Sequence, residues 1–437
     1  MLRSCAECCG NWPAWSRRLT ARLDQQQEDG PIHAATEDLK NWLTQQGLKA
    51  VGREELLRRF CEELVNHGVP LLRMQLAQRA LHPEFGGIGF TWTRQDGLNS
   101  EYFERVDHKE PRNEWVQSPF FALISSGEAE YYSRFSSEDE ARFPIFTRLK
   151  EMGATSYFAH WQPFGDFSQA QFDPDSPNAE GLVASWSFDG PPEEAEPCLA
   201  LLRNVFGTLA LVLAAAGNRE MGRALLQVYL GRDAGARVLS GEIARGSSQR
   251  IDAVICLFDL RGFTALSESL PGEELVDLLN DYFGHVVQLI QSHGGNILKF
   301  MGDAVMAMFN LGTLQEDAQA ALRAVAELGP RMRAVNEARA AEGLPLAEYT
   351  MALHAGEILY GNIGAPNRLD FTVIGPAVNL TARIADMHRA VERSIILSED
   401  VRDAAGLDGA DLVSVGRYML RGVAEPIELF TLYQPET

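Results

Sequence analysis

Residues 254–267 read VICLFDLRGFTALS, an apolar run that stops at an aspartate and continues into a glycine-containing turn. The run predicts a buried strand, and the residues after Gly262 predict the start of a helix. A carboxylate at the end of a buried strand costs free energy unless it is paired, hydrogen-bonded or bound to a cation. Asp259 is therefore a candidate for binding chemistry, although an aspartate that caps a strand-to-helix turn explains this stretch alone at least as well.

A second acidic residue interrupts the next apolar segment. KFMGDAVMAMF, residues 299–309, predicts two strands joined by a tight turn, with Asp303 directly after Gly302. Two carboxylates at one edge of neighbouring strands can hold two divalent ions. Oxygen ligands of this kind suit Mg²⁺ or Mn²⁺ with phosphate completing the coordination shell.

The RGFT turn after Asp259 suits phosphate oxygens. Gly262 lets the backbone approach a ligand closely, and the amides of Phe263 and Thr264 lead into the predicted helix. Backbone N–H groups in such a turn can cradle phosphate.

A third segment, DFTVIGPAVNLTAR at residues 370–383, predicts a strand that carries Thr372 and then a helix. Asn379 and Arg383 are four residues apart, so they lie on one face of that helix. Lys299 is a lone cation in an apolar strand. Taken singly, Lys299 pairing with Asp303 and Arg383 pairing on a helix surface are equally good explanations.

The segments FDLRGFT, KFMGDAVMA, LHAGEILYGNIG and FTVIGPAVNLTAR together resemble the class III nucleotidyl cyclase catalytic domain. The resemblance covers residues 251–434 and keeps the family's motif order and spacing. It implies an α+β fold, a ferredoxin-like α/β sandwich, for which we expect a mixed sheet covered by helices on one face. It also implies a homodimer that pairs head to tail and builds its active sites at the interface.

The resemblance assigns a role to each matching position. The metal positions, for two Mg²⁺ or Mn²⁺ ions per site, are Asp259, Asp303 and the backbone carbonyl of Leu260. The substrate positions are Lys299 and Thr372 at the base, Gly262, Phe263 and Thr264 in the phosphate turn, and Arg421 at the terminal phosphates. The positions for the ribose and the transition state are Asn379 and Arg383.

Lys299 and Thr372 favour adenine over guanine, because lysine donates to the ring nitrogen that is an acceptor only in adenine. The implied reaction converts ATP to cyclic AMP and pyrophosphate, that of a soluble adenylate cyclase. A guanylate cyclase and a catalytically silent nucleotide-binding regulator remain alternatives. Threonine at 372 has been linked in the family to a bicarbonate response, which is a hypothesis here.

The rest of the chain predicts a sensory region before the catalytic domain. Residues 1–50 predict a tail or accessory helix, and 218–250 a helical signalling linker. Residues 51–217 resemble the GAF/PAS group of small α/β domains, GAF-like by preference, and suit an unknown small-molecule or protein signal. This reading takes FGGIGFTWT, SPFFALISS, TSYFAHWQPF and GLVASWSFDG as strands, followed by a helix over 195–217.

The composition of the chain limits the classes of partner that it is expected to bind. The net charge of −21 and the absence of a basic stripe argue against nucleic acid and anionic membrane surfaces. The apolar stretch 198–217 contains Arg203 and Asn204, so a packed helix is expected there rather than a membrane span. With no convincing secretory signal, a cytoplasmic protein is expected, and the cysteines near the start (Cys5, Cys8 and Cys9) are expected to be ordinary thiols.

Overall fold

The computed structural model divides the chain into two compact units, Met1–Gly222 and Arg223–Thr437. It describes residues 32–79, 85–104, 113–135, 142–165, 180–310, 312–406 and 412–433. The predictions for Cys5, Cys8, Cys9 and most of the tail lie outside these ranges.

The first unit contains six strands and six helices within its described residues. The helices are α1 (32–48), α2 (Arg53–Asn66), α3 (Asn113–Val116), α4 (Pro119–Ser126), α5 (Pro144–Glu151) and α6 (Pro192–Leu230, which runs on beyond the unit boundary). The strands are β1 (Leu71–Arg79), β2 (Phe85–Thr93), β3 (Gly97–Glu104), β4 (Glu130–Arg134), β5 (Ser156–Pro163) and β6 (Gly181–Phe188). They form an antiparallel sheet in the order β3-β2-β1-β6-β5-β4.

Both faces of this sheet are covered. Leu182, Ala184 and Trp186 of β6 face a core shared with α1, α2 and α6, while Val183 faces a second core built by α4 and α5. The strand predicted at GLVASWSFDG is therefore confirmed, and the residues on both of its faces are buried. The GAF-like assignment stays a prediction, as do the domain boundaries.

The prediction of a strand at SPFFALISS is wrong, because this segment forms α4. Ser118 caps the helix by accepting a hydrogen bond from the Phe121 backbone N–H at 3.1 Å, and Pro119 occupies the first turn. Gly127 ends the helix with a φ of +74°. These are strong helix start and stop signals, and they outweigh the strand propensity of a short apolar run.

Helix α6 is longer than predicted and reaches Leu230. By length and composition alone it is apolar enough to cross a membrane, a test that core helices of soluble proteins also pass. Its first half is a core element of the first unit, with residues such as Leu202, Phe206 and Leu213 buried against the sheet.

The second unit, within the described residues, is built on an eight-stranded sheet. Its strands are β7 (Ser248–Arg261), β8 (Asn296–Met301), β9 (Ala304–Phe309), β10 (Glu348–Ala365), β11 (Arg368–Ile374), β12 (Ile395–Ser398), β13 (Leu412–Tyr418) and β14 (Ile427–Leu432). The order is β13-β14-β12-β10-β7-β9-β8, with β11 paired to β10. The β10–β12 pair is parallel and the others are antiparallel, so the sheet is mixed as predicted.

Helices cover both faces of this sheet, whereas one face was expected. The helices are α7 (Arg232–Leu239), α8 (Phe263–Ser269), α9 (Gly272–Ser292), α10 (Leu314–Ala341), α11 (Pro376–Ala385), α12 (His388–Val391) and α13 (Glu399–Ala405). The main core lies between one face and α9, α10 and α13. On the other face Ala234 of α7 and Ala377 of α11 share a second cluster with Phe371 and Val373 of β11. The α+β class is confirmed.

The β8–β9 turn depends on glycine. Only Gly302 and Asp303 separate Met301 from its cross-strand partner Ala304, and Gly302 has a φ of +67°. A two-residue hairpin loop with positive φ at its first central residue favours glycine there. This turn fixes where Asp303 lies.

We expect Gly302→Ala to lower the free energy of unfolding by about 1–2 kcal/mol, because an L-residue strains the left-handed conformation. An added Cβ meets no atom within 4 Å, so the loss is one of backbone conformation. Gly272→Ala is the matched control, since its Cβ also meets open space and its φ is not positive. Urea unfolding of both variants measures the effect, and equal stability of the two would contradict this account of the turn.

Candidate active site

Asp259 lies at the end of the central strand of the second unit. It is opposite Thr350 of β10 and Ala304 of β9, so neighbouring strands flank it on both sides. Of the six residues before it, 253–258, all but Leu257 are buried, and Asp259 is half-buried. The carboxylate therefore emerges where the packed interior of the sheet meets solvent.

Asp303 is brought to the same edge by the β8–β9 turn. The backbone N–H of Leu260 donates to the carbonyl of Asp303 at 3.2 Å, which ties the turn to the end of β7. Burial raises the pKa of Asp259 from 3.8 to about 6, and the charge of Asp303 adds to the increase. The two predicted carboxylates therefore lie close enough to repel each other.

A divalent cation fits this pair, because its charge would offset both the burial of the Asp259 carboxylate and the repulsion from Asp303, which together raise the Asp259 pKa. Within the ranges that the structure describes, no group of three or more His, Cys, Asp or Glu side chains could hold a metal. Further ligands must then be backbone carbonyls, water or phosphate, as Mg²⁺ accepts. The carbonyl of Leu260, next to Asp259, is such a candidate.

The RGFT turn, residues 261–264, comes soon after Asp259 in the chain. Gly262 has a φ of +75° and precedes α8, and its carbonyl accepts from the N–H groups of Ala265 and Leu266. The amides of Phe263 and Thr264 belong to the first helical turn, where backbone donors have no partner inside the helix. The predicted phosphate turn therefore lies next to Asp259 along the chain.

Lys299 and Thr372 come together although 73 residues separate them. The ammonium group of Lys299 donates to the Thr372 hydroxyl at 3.1 Å. It also lies 3.7 Å from the carboxylate of Asp370. The alternative that Lys299 pairs with Asp303 is therefore replaced by an ion pair with Asp370.

Asp370 was not singled out from the sequence. It is two residues before Thr372 in β11, and alternate residues of a strand share a face. That spacing was the available signal, but it does not show that β8 approaches β11 closely enough for Lys299 to contact both residues.

Asn379 and Arg383 lie on the outward side of α11. Ala377, Thr381 and Ile384 bury the opposite side, leaving Asn379 exposed and Arg383 half-buried. Among the described residues neither side chain has a hydrogen-bond or ion-pair partner.

Arg421 is exposed in the connection between β13 and β14. No side-chain contact among the described residues links it, Asn379 or Arg383 to the carboxylate pair. A single chain thus brings Lys299 to Thr372 and Asp259 to Asp303. It leaves the other predicted side chains, those of Asn379, Arg383 and Arg421, without a contact to the carboxylate pair.

The whole of this sheet and both residue pairs lie in a segment that matches a known family. Residues 247–434 match the family model of the adenylate and guanylate cyclase catalytic domain. The chain belongs to this family. Catalytic domains of this family generally use divalent metal ions, in agreement with the chemistry of the carboxylate pair.

Proteins similar to residues of this domain include both adenylyl and guanylyl cyclases. The adenylyl cyclase CyaB from P. aeruginosa is 31% identical over 44% of this chain and 97% of that one, with a TM-score of 0.40. The guanylyl cyclase Cya2 is 34% identical over 43% and 96% of the two chains, with a TM-score of 0.38.

One curated relative matches a slightly longer part of the chain. An uncharacterized protein of Mycobacterium tuberculosis is 32% identical over 223 residues, which are 50% of this chain and 39% of that protein. The chain thus spans about two fifths of the length of this curated relative.

The raised pKa of Asp259 predicts a pH-dependent stability. The folded protein holds the Asp259 proton up to about pH 6, whereas the unfolded chain releases it near pH 3.8. The free energy of unfolding therefore falls as the pH rises between these two values, and it stays lowered at higher pH. Without metal, Asp259→Asn should therefore match the wild type near pH 4 and exceed its stability at pH 8. Urea unfolding in a chelator at both pH values measures this difference.

The matched control is Asp277→Asn, at an exposed position on α9. It should follow the wild type at both pH values. An Asp259→Asn variant that is less stable than the wild type at pH 8 would show that the ionised carboxylate is stabilised rather than strained in the fold.

Proposed function

We propose that this protein is a soluble, cytoplasmic adenylate cyclase that converts ATP to 3′,5′-cyclic AMP and pyrophosphate. The observation that carries the proposal is the hydrogen bond from Lys299 to Thr372, found in the same catalytic domain as the Asp259–Asp303 pair. A working enzyme needs residues that bind the base and residues that bind the metal in the same cyclase domain. A silent regulator does not need both.

Asp259 and Asp303 would hold the divalent ions, with the Leu260 carbonyl as a further ligand. When bound, two such ions supply Lewis-acid activation of the ribose 3′-hydroxyl and charge neutralisation at the triphosphate. The N–H groups of the RGFT turn would bind phosphate oxygens. The attack of the 3′-oxygen on the α-phosphorus forms one P–O bond and breaks the bond to pyrophosphate.

The remaining predicted residues would act on the ribose and the phosphates. Asn379 would orient the ribose, and Arg421 would bind the terminal phosphates. Arg383 would stabilise the negative charge that develops on the phosphoryl oxygens, a contribution on the order of a thousandfold in rate for an arginine in this role.

Adenine fits the two residues that are assigned to the base, Lys299 and Thr372. Two of the three donors of the Lys299 ammonium face Thr372 and Asp370, which leaves one for the ring acceptor of adenine. The Thr372 hydroxyl accepts from Lys299 and keeps its own proton to donate.

A guanylate cyclase is the second candidate, and Asp370 is the observation that favours it. Its carboxylate is an acceptor beside Lys299, and guanine presents two N–H donors at the matching edge. Assays of ATP and GTP side by side separate these two functions.

The positions left apart in one chain support a homodimer. Arg383 and Asn379 are free of side-chain partners among the described residues and face outward from α11. We propose that they complete the site of a second copy that presents Asp259 and Asp303.

Mixing variants tests this shared site. Asp259→Ala and Arg383→Ala should each fall below about 1% of wild-type activity. Mixed in equal amounts they should recover about one quarter, because random pairing gives half of the dimers one intact site out of two. Cyclic AMP formation from ATP and Mn²⁺ is measured after proven chain exchange.

The control mixture is Asp259→Ala with Asp303→Ala, which removes the same half-site from both chains and should stay inactive. No recovery in the first mixture, despite chain exchange, would exclude catalysis at the interface. No cyclic nucleotide from the wild type with either ATP or GTP would instead exclude the enzyme itself.

Asp370→Asn tests how Lys299 is held. Because half-exposed ion pairs contribute up to about 1 kcal/mol, we expect KM for ATP to rise about threefold with little change in kcat. Asp252→Asn, an exposed acid on β7, is the control. An unchanged KM would show that Thr372 alone positions the lysine.

A further inference from the structure

The first unit contains an arginine whose charge has no acidic partner within the part of the chain that the structure describes. Arg73 lies on β1, half-buried, on the sheet face that α4 and α5 cover. Its guanidinium donates to the side-chain oxygen of Gln75 at 3.0 Å. No carboxylate among the described residues pairs with it.

Hydroxyl groups lie beside this arginine in the same row of the sheet. Ser187 of β6 lies directly opposite Arg73 of β1 on one side and Tyr157 of β5 on the other. Ser187 is only 1% exposed and Tyr157 only 2%. The Ser187 hydroxyl has no hydrogen-bond partner among the residues described. Ser185, opposite Gln75 and facing Tyr157, is also buried.

The local charge is positive. Burial lowers the pKa of Arg73, the Tyr157 phenol opposes that decrease, and the charge of Arg148 of α5 adds to it. Burial also raises the pKa of Tyr157, so its hydroxyl keeps its proton and remains a donor. Among the residues that the structure describes, Arg73 therefore faces a second cation and several donors but no anion.

A partly buried, unpaired cation costs several kcal/mol in the most buried cases, and an unpaired buried hydroxyl adds to that cost. An anion that accepts hydrogen bonds would remove both penalties together. A guanidinium is a planar fork that matches two oxygens of one planar group. The donors beside it, Ser187 and Tyr157, can reach further lone pairs of the same group.

We propose that the first unit binds a small planar oxyanion, such as the carboxylate of an organic acid, between the sheet and helices α4 and α5. Arg73 supplies the charge and two parallel hydrogen bonds, and the hydroxyls of Ser187 and Tyr157 complete the site. The site is separate from the cyclase site and does not depend on the proposed reaction.

The test is thermal unfolding of the full chain without nucleotide or metal. Sodium acetate and sodium nitrate are each titrated against sodium chloride at constant ionic strength. We expect a saturable rise in the Tm of the wild type with at least one of them. Acetate alone would identify an organic carboxylate as the ligand class, and both together would identify planar oxyanions in general.

Arg73→Met keeps the apolar stem and removes the charge. It should weaken the acetate or nitrate response at least about tenfold, since hydrogen bonds to a charged group are lost. In chloride alone it should be no less stable than the wild type, because an unpaired charge has been removed. Arg94→Met is the matched control, for Arg94 is already paired with Asp189 at 2.6 Å and its loss should leave the response intact.

Ser187→Ala is the second variant and covers the case in which Arg73→Met fails to fold. It removes one unpartnered hydroxyl and should weaken the response about threefold to tenfold. The proposal is overturned if the wild type shows no saturable response to either anion, or if Ser187→Ala and Arg73→Met respond as the wild type does.

Discussion

Burial of the Asp259 carboxylate beside Asp303 is the constraint on which the catalytic unit depends. The carboxylates stay together because the backbones that carry them cannot move apart: β7 pairs with β9 and β10 on its two sides, and the Leu260 N–H is bonded to the Asp303 carbonyl. The tightly packed core below them resists relaxation. The fold thus stores an electrostatic cost at the edge of its sheet, where a multivalent cation can offset it.

Much of this edge could be predicted from sequence, because local signals determine it. A buried strand that ends in an acid, a glycine at a two-residue turn and an i, i+4 pair on a helix are each defined within a few residues. The positions of Asp259, Asp303 and the Asn379–Arg383 helix face follow from such signals. The assigned roles rest on the family resemblance instead.

Features that depend on distant contacts could not be predicted in the same way. The ion pair of Lys299 with Asp370 requires β8 and β11 to meet, and the packing of α7 on the second face of the sheet requires a particular path of the chain. The prediction of a strand at SPFFALISS was wrong for another reason. Its apolar run is too short for periodicity to distinguish helix from strand, and the decisive signals were the flanking Ser118, Pro119 and Gly127.

The cluster that α7 shares with β11 has a mechanical consequence. Phe371 and Val373 pack against the same interior as Ala234, and Thr372 lies between them in the strand. Arg237 of α7 also stacks on Tyr360 of β10, at 5.3 Å from the ring centre. Since packed interiors transmit displacement rather than absorb it, a shift of α7 would translate the hydroxyl that Lys299 contacts. The segment by which the chain enters the catalytic unit is therefore coupled by packing to the strand that carries Thr372.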